Sequence, residues 1–226
     1  MRSCLEIRER KLGREHPATL DSNNGLAWIE LAENRPADAV ARFTVVLEAR
    51  QRTLGAEHPD VVETMFGLAS AEAARGNLAP AEARFRATLE TSRRILGPEH
   101  KTTLQTADEL ASGLLRQRAF GDAETVLRAN LAARQKTAAG NWRTFSTQSD
   151  LAAALAGQKK FADAEPLLLE AWTELQKQSD KIPAASRAVV RTTAERLVQL
   201  YTDTIQPDQA AEWRLKADAP AVMPKP

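Results

Sequence analysis

The sequence has 226 residues, of which 43% are apolar and only 5% aromatic, a composition that favours helix packed on helix over a β-sandwich. Its 31 basic and 30 acidic residues nearly cancel, so the bulk charge does not indicate a nucleic-acid-binding protein. The single cysteine, Cys4, excludes an intrachain disulfide, and no apolar run approaches the roughly 18–20 residues that span a bilayer. We therefore expect this chain to be helical and not to insert into a membrane.

A short turn sequence returns along the chain at a fixed interval. The pattern Leu-Gly-x-Glu-His-Pro occurs at residues 12–17 and 54–59, and residues 96–101 repeat it with lysine in the last place. The interval is 42 residues both times, and apolar positions inside the units keep the same step, among them Leu26 and Leu68. Self-similarity at a period of this length is typical of stacked helical repeats.

The chain begins with a partial unit. Leu5 occupies the position that Leu47 and Leu89 hold in later units, so residues 1–12 are predicted to be a remnant second helix of a preceding repeat. A repeat cannot bury its apolar face alone, and no polar cap is visible at this end. We expect the chain to be a piece of a longer protein; the alternative is that this helix caps the array by itself.

Each complete unit is predicted to form two helices, which in repeat one run from about 18 to 33 and from about 36 to 53, because apolar residues recur there at helical spacing. Glycine accepts the left-handed conformation that ends a helix, and Gly13, Gly55 and Gly97 stand at such ends.

In repeat four, Asn141-Trp142 replaces the usual His-Pro, which predicts a turn that is built differently. The predicted units are residues 12–53, 54–95, 96–137 and 138–179, then a modified helix pair at 184–217 and a disordered tail at 218–226.

The repeat unit resembles a known family. The step from Leu26-Ala27 to Ala39 and then Phe43 resembles the tetratricopeptide consensus, and the 42-residue unit with its Leu-Gly-x-Glu-His-Pro turn is similar to the kinesin-light-chain-like type. This resemblance covers residues 1 to about 178. It implies an all-α fold, a right-handed α-solenoid of antiparallel helix pairs that forms a superhelix.

The C-terminal part resembles something narrower. Residues 164–170, 181–183, 195–201 and 210–214 are similar to the repeat tail of bacterial serine/threonine kinase-like proteins, which place a kinase domain before the repeats. The sequence contains no Gly-rich phosphate loop, no His-Arg-Asp loop and no Asp-Phe-Gly. The resemblance therefore implies the regulatory or docking region of a longer bacterial signalling protein, without its catalytic part.

Metal binding and catalysis are both disfavoured. His16, His58 and His100 hold one position of three successive repeats, which stack roughly 10 Å apart, whereas metal ligands lie within about 2.1 Å of one centre. We interpret these histidines as turn residues, the alternative being a metal shared with a partner. No nucleophile motif surrounds Cys4, and the sequence has no metalloprotease or phosphate-binding motif. We expect no cofactor and no enzymatic activity.

The family resemblance implies a binding face on the first helix of each pair. Its inner, concave positions correspond here to Asp21, Asn24, Trp28 and Leu31, to Glu63, Phe66, Ser70 and Ala73, and to Gln105, Asp108, Ser112 and Leu115. Trp28 and Phe66 are the natural anchors for a partner's side chain, although they could instead only pack against the neighbouring repeat. Asp108 stands where chaperone-tail-binding repeats carry a base, which disfavours a peptide's terminal carboxylate.

Two departures from the repeat pattern fall on the first helices. Glu30 and Glu72 stand where repeats three and four place Leu114 and Leu155. Either they alter the wall of the groove, or they are neutral drift.

We predict a protein–protein interaction scaffold that binds a protein or peptide on its concave face. One alternative is a self-association module that positions an attached kinase domain. Another is an RNA-binding helical repeat, which is disfavoured because the inner positions contain no lysine or arginine. We expect a cytoplasmic location, unless a membrane-anchored full-length parent places this region outside.

Overall fold

The structure, a computed structural model, describes residues 2–218, with side chains from residue 5 onward. All regular elements in this range are helices: α1 (Arg2–Leu12), α2 (Pro17–Ala32), α3 (Pro36–Leu54), α4 (Pro59–Ala74), α5 (Leu78–Ile95), α6 (Lys101–Arg116), α7 (Phe120–Ala138), α8 (Trp142–Gly157), α9 (Phe161–Lys177), α10 (Ala188–Asp203) and α11 (Pro207–Asp218). Two single 3₁₀ turns, Ser179–Lys181 and Ala184–Ser186, connect α9 to α10. Of the tail predicted to be disordered, residues 219–226 lie outside the described residues.

The chain forms two compact units, residues 1–113 and 114–226, divided within α6. In unit one, α1 packs on α2, α2 on α3, α3 on α4 and α4 on α5. In unit two, α7 packs on α8, α8 on α9, α9 on α10 and α10 on α11. The predicted all-helical fold of consecutive packed helix pairs is confirmed. In repeat one, the predicted first helix is shifted by one residue at both ends relative to α2, and the predicted second helix ends one residue before α3 does.

The turn between helix pairs is built from the repeated motif. Gly13, Gly55 and Gly97 adopt φ of 89°, 87° and 89°, the left-handed region that was predicted for them. Three residues further on, the Nδ1 atoms of His16 and His58 each accept a hydrogen bond of 3.2 Å from a backbone N–H of the first helical turn, and so does that of His100. These bonds satisfy amide groups that have no partner inside the helix. The turn role of the histidines is therefore confirmed.

The turn before α8 was expected to differ, and it lacks the left-handed glycine of the turns before α2, α4 and α6, because Gly140 does not adopt a positive φ. Its cap is nevertheless equivalent. Asn141 begins α8 as its N-cap, and its Oδ1 accepts a 2.9 Å hydrogen bond from the Arg143 amide. An asparagine oxygen and an unprotonated imidazole nitrogen are both acceptors of suitable reach. Substitution of asparagine for histidine at this position therefore preserves the cap.

The first helix of each pair ends in a second type of turn, which the sequence did not predict. The residue after the C-cap has φ of 58° at Asn34, 82° at Gly76, 61° at Arg118, 64° at Lys159 and 58° at Ile205. At each, the amide donates to the carbonyl three residues earlier, and the next amide donates to the carbonyl five residues earlier. This pair of backbone hydrogen bonds is the Schellman motif. One backbone turn therefore recurs five times on five different residue types.

Small residues let the helices approach closely. In unit one, Ala27, Ala39, Phe43, Leu68 and Ala71 form a buried cluster. A Cβ atom added to Gly67 would lie 2.5 Å from the ring of Phe43, closer than packed carbon atoms come. In unit two, a second cluster consists of Phe145, Ala171, Leu175, Ile182 and Val190.

A polar cluster joins α7 to the turn before α9 within unit two. The Glu124 carboxylate accepts hydrogen bonds from Lys160 Nζ at 2.8 Å and Gln158 Nε2 at 2.7 Å, and from Arg128 on its own helix at 2.8 Å. The hydrogen bond from Lys160, followed by those from Arg128 and Gln158, lowers the pKa of Glu124 from 4.5 to about 2. This carboxylate is therefore ionised over the whole ordinary pH range.

Candidate functional site: an aromatic groove in unit one

Residues of three first helices, α2, α4 and α6, converge on one groove of unit one. It encloses about 610 Å³ and is lined by Trp28, Glu63, Phe66, Ser70, His100, Lys101, Thr102, Gln105 and Glu109, and we call it the aromatic groove. The lining includes five of the predicted inner-face residues: Trp28, Glu63, Phe66, Ser70 and Gln105. The 42-residue step places these side chains together because equivalent positions of neighbouring repeats share one side of the stack.

The aromatic residues of the groove continue a row that begins in the core. Trp28 meets the buried Phe43 edge-on, with ring centroids 5.3 Å apart, and Phe66 lies 5.9 Å from Trp28 and 6.2 Å from Phe85. Contacts of this kind hold both rings in place. Trp28 nevertheless leaves 37% of its surface exposed. The packing alternative thus holds for one side of these rings, while their other side lines the groove.

The polar groups of the groove differ in how they are satisfied. The Ser70 hydroxyl donates a 3.0 Å hydrogen bond to the Phe66 carbonyl in its own helix. The exposed carboxylate of Glu63 and ammonium of Lys101 have no hydrogen bond or ion pair with any described side chain. Charged groups on a groove wall that lack internal partners can pair with a ligand at small desolvation cost.

Several predicted inner-face residues lie outside the lining of the aromatic groove: Asp21, Asn24, Leu31, Ala73, Asp108, Ser112 and Leu115. Asp21 accepts a 2.5 Å hydrogen bond from Arg50, whose buried guanidinium also donates to the Asp60 carbonyl and to Thr64. Leu31 packs against the core cluster of unit one. Asp21 therefore serves to neutralise a buried arginine between helix pairs.

Four lining residues were missed by sequence reasoning: His100, Lys101, Thr102 and Glu109. Three of them belong to the turn before α6 and to its first residues, whereas the family positions used for the prediction lie along the middle of the helix. The repeated turn at residues 96–101 was itself recognised from the sequence. Its position at the end of the groove depends on the stacking of repeat three against repeat two.

Glu30 and Glu72 lie between helices and away from the aromatic groove. Glu30 is only 3% exposed, and both of its oxygens accept hydrogen bonds from Arg42, from Nε at 3.0 Å and Nη2 at 2.8 Å. The hydrogen bond with Glu30 raises the pKa of Arg42 above its ordinary value. Glu72 accepts a 2.8 Å hydrogen bond from Asn77. These residues therefore do not alter the wall of the groove.

Two kinds of site are absent from the described residues. No group of three His, Cys, Asp or Glu residues in that part of the chain is arranged to hold a metal ion. None of the helices within residues 2–218 combines the length and the apolar character needed to cross a membrane.

The stacked helix pairs and their capped turns define an α-helical repeat protein. The tetratricopeptide repeat profile matches residues 19–60, 62–100 and 144–176, half of the chain. The chain therefore belongs to the tetratricopeptide repeat family. Comparison of the sequence with the curated proteins gives no match.

Several solved structures share the fold of this chain. A kinesin light chain protein of Podosopora anserina with nearly identical TPR-like repeats matches with a TM-score of 0.72 and 22% identity, covering 90% of this chain and 95% of that one. BtubC (BKLC) from P. vanneervenii matches with a TM-score of 0.76 and 18% identity, covering 99% and 91%. MamA from Desulfovibrio magneticus RS-1 matches with a TM-score of 0.59 and 16% identity, covering 88% and 92%. At these identities the likeness shows the fold alone.

Proposed function

We propose that the chain is a non-enzymatic scaffold that binds a segment of a partner protein in the aromatic groove. The observation that supports this most directly is the convergence of Trp28, Phe66 and Gln105, from three successive repeats, on one groove. The lining resembles an interface, with aromatic anchors inside a polar rim. Two of its groups that could serve catalysis are used within the fold, because His100 caps α6 and the Ser70 hydroxyl donates to the Phe66 carbonyl.

The rigidity of the groove favours binding. Trp28 and Phe66 are held by ring contacts to Phe43 and Phe85, so they lose little conformational freedom when a ligand covers them. Aromatic residues that are fixed and half-buried are typical of the few positions that carry most of the affinity of an interface. A ligand's apolar side chain would rest against the exposed side of Trp28, and its backbone would find Gln105 as a hydrogen-bonding partner.

The wider context is part of the same proposal. The likeness of the C-terminal helices to repeat tails of bacterial kinase-like proteins supports a regulatory or docking region of a longer signalling protein. We propose a cytoplasmic location for the described repeats, because a chain with one cysteine needs no oxidising compartment for intrachain disulfides. The proteins that share this fold include a kinesin light chain protein, which is compatible with a role in joining partners.

Affinity capture with matched variants tests the proposal. We would immobilise the chain, a groove variant carrying Trp28→Ala and Phe66→Leu, and a control carrying Leu215→Ala, whose side chain is 75% exposed outside the groove. Phe66→Leu keeps most of the packed volume, and circular dichroism would verify that all three are equally helical.

We expect at least one protein, quantified by mass spectrometry and then titrated in purified form, to bind the parent and the Leu215→Ala control alike. Its affinity for the groove variant should be at least tenfold weaker. Equal binding to all three chains would show that the groove is not the site. Concentration-dependent mass in sedimentation, unchanged in the groove variant, would instead favour self-association.

A further inference from the structure

We propose that the aromatic groove selects a basic segment, in which a lysine or arginine stands next to a large apolar side chain. This inference rests on the proposed function of the groove and names the chemical class of its ligand. It depends on how charge is distributed among the helices of unit one, on the free carboxylate of Glu63, and on the position of that carboxylate beside an aromatic anchor.

Charge is unevenly distributed among the helices of unit one, although the chain as a whole is close to neutral. Helix α2 contains two acidic and no basic residues, and α4 contains three acidic and no basic residues. Helices α3 and α5 together contain seven arginines and four acidic residues, and α6 contains two residues of each sign. The groove walls formed by α2 and α4 are therefore acidic, and their field attracts cations.

Most of the acidic groups on these helices are already used within the fold. Glu30 pairs with Arg42, Asp21 with Arg50, and Glu72 accepts from Asn77. Glu63 differs because it is exposed, lines the groove and has no side-chain partner among the described residues. It is therefore the carboxylate through which the groove can recognise a cation.

Glu63 and Phe66 stand three residues apart on α4, so their side chains share one face of the helix. A ligand whose apolar side chain rests on Trp28 and Phe66 would hold its neighbouring side chain close to the Glu63 carboxylate. A cation at that point would also approach the exposed ring of Trp28, where it is attracted by the π face. Lys101, the basic member of the lining, begins α6 and repels a second cation, which favours one basic residue over a polybasic run.

Selection from a display library of random 12-residue peptides tests the inference on the full chain. Four forms would be used: the parent, Glu63→Lys, the matched control Glu48→Lys, and the groove variant with Trp28→Ala and Phe66→Leu. Glu48 is an exposed carboxylate on α3 outside the groove, so its reversal changes the net charge equally without touching the lining.

We expect the parent and Glu48→Lys to enrich peptides that pair lysine or arginine with leucine, methionine or an aromatic residue. Glu63→Lys should lose this enrichment. For the strongest peptide in titration, Glu63→Gln should weaken binding about threefold and Glu63→Lys about tenfold, and both losses should shrink as salt is raised, as for an exposed ion pair.

The outcomes separate this inference from the proposed function. Acidic or neutral peptides that bind the parent and lose affinity with the groove variant would overturn the basic selectivity and leave the groove as a binding site. Basic peptides that bind the parent and Glu63→Lys equally would also overturn it. If no enriched peptide depends on Trp28 and Phe66, the proposed function fails and the inference fails with it.

Discussion

Replacement of Ile205 by glycine is expected to stabilise the C-terminal helix pair of unit two. Ile205 follows the end of α10 with φ of 58°, a left-handed conformation that a β-branched residue rarely adopts. Its side chain is 88% exposed, so glycine removes almost no packing. Its amide donates a 3.2 Å hydrogen bond to the Thr202 carbonyl, and glycine retains this bond. The substitution therefore acts mainly on backbone strain.

The magnitude follows from two opposing effects. The left-handed conformation costs a residue with a Cβ atom about 1–2 kcal/mol. Glycine offsets part of this gain, because it gives the unfolded chain about 0.5–1 kcal/mol of additional conformational freedom. The expected net effect of Ile205→Gly is a rise of about 0.5–1 kcal/mol in the free energy of unfolding.

The same turn provides the reverse experiment in unit one. Gly76 holds the equivalent position after α4 with φ of 82°, and an added Cβ would meet no atom within 4 Å. Gly76→Ala should therefore lower the free energy of unfolding by about 1 kcal/mol through the backbone alone. Urea unfolding followed by circular dichroism measures both variants, and hydrogen exchange localises the change to α10 and α11 or to α4 and α5. A lower urea midpoint for Ile205→Gly, with no change for Gly76→Ala, would refute the strain argument.

Three other predictions concern buried and capping contacts. Glu30→Leu alone should lower the free energy of unfolding by about 2–3 kcal/mol, because it leaves the half-buried Arg42 without its carboxylate partner. The double variant Glu30→Leu, Arg42→Val should recover a free energy of unfolding within about 1 kcal/mol of the parent. Equal losses for the single and the double variant in urea unfolding would contradict this. His58→Ala should cost about 1 kcal/mol, since the Asp60 amide loses its acceptor, and His58→Asn should not, as thermal unfolding can show. The pKa of Glu124 is lowered from 4.5 to about 2 in the folded state. The ionised carboxylate therefore stabilises the fold in full above about pH 4.5, and this contribution is lost as the pH falls toward 2. Glu124→Gln should reduce the loss of stability over this pH range by about 1–2 kcal/mol, allowing for the exposed partners, and an unchanged pH dependence would contradict the assignment.

The parts of the fold that the sequence predicted are those with a residue-specific cause. Gly55 marks the end of α3 because glycine is the residue that takes its φ of 87° without strain. The Schellman turns after the first helices were not predicted: asparagine and glycine favour the left-handed conformation, but arginine, lysine and isoleucine in the same position give no signal for it. The cap at Asn141 was not predicted, because a residue type other than histidine supplies the equivalent acceptor.

The candidate site was predictable in part for a similar reason. The family's inner positions place Trp28, Phe66 and Gln105 on one side of the stack, and the 42-residue period relates Trp28 to Ser70 and Glu63 to Gln105. The presence of Lys101 in the groove lining could not be predicted in this way, because it depends on how the turn before α6 lies against the preceding helix pair. Glu30 shows a further limit: its partner Arg42 is on the next helix, and the pair is replaced by Leu114 and Val126 two repeats later. Comparison of positions 30 and 42 together across the repeats, instead of position 30 alone, would have indicated a buried ion pair.

The spacing of basic residues along α2, α4 and α6 also determines how the protein can be studied by proteolysis. Trypsin cleaves after lysine and arginine, and none occurs within residues 15–34, 53–74 or 102–115. A complete digest therefore leaves α2 and α4 each within one peptide, and α6 within one peptide except for Lys101, with Trp28, Phe66 and Gln105 on separate fragments. Oxidative or carboxyl-directed footprinting of the folded protein, followed by digestion, can thus report contact with a ligand one helix at a time.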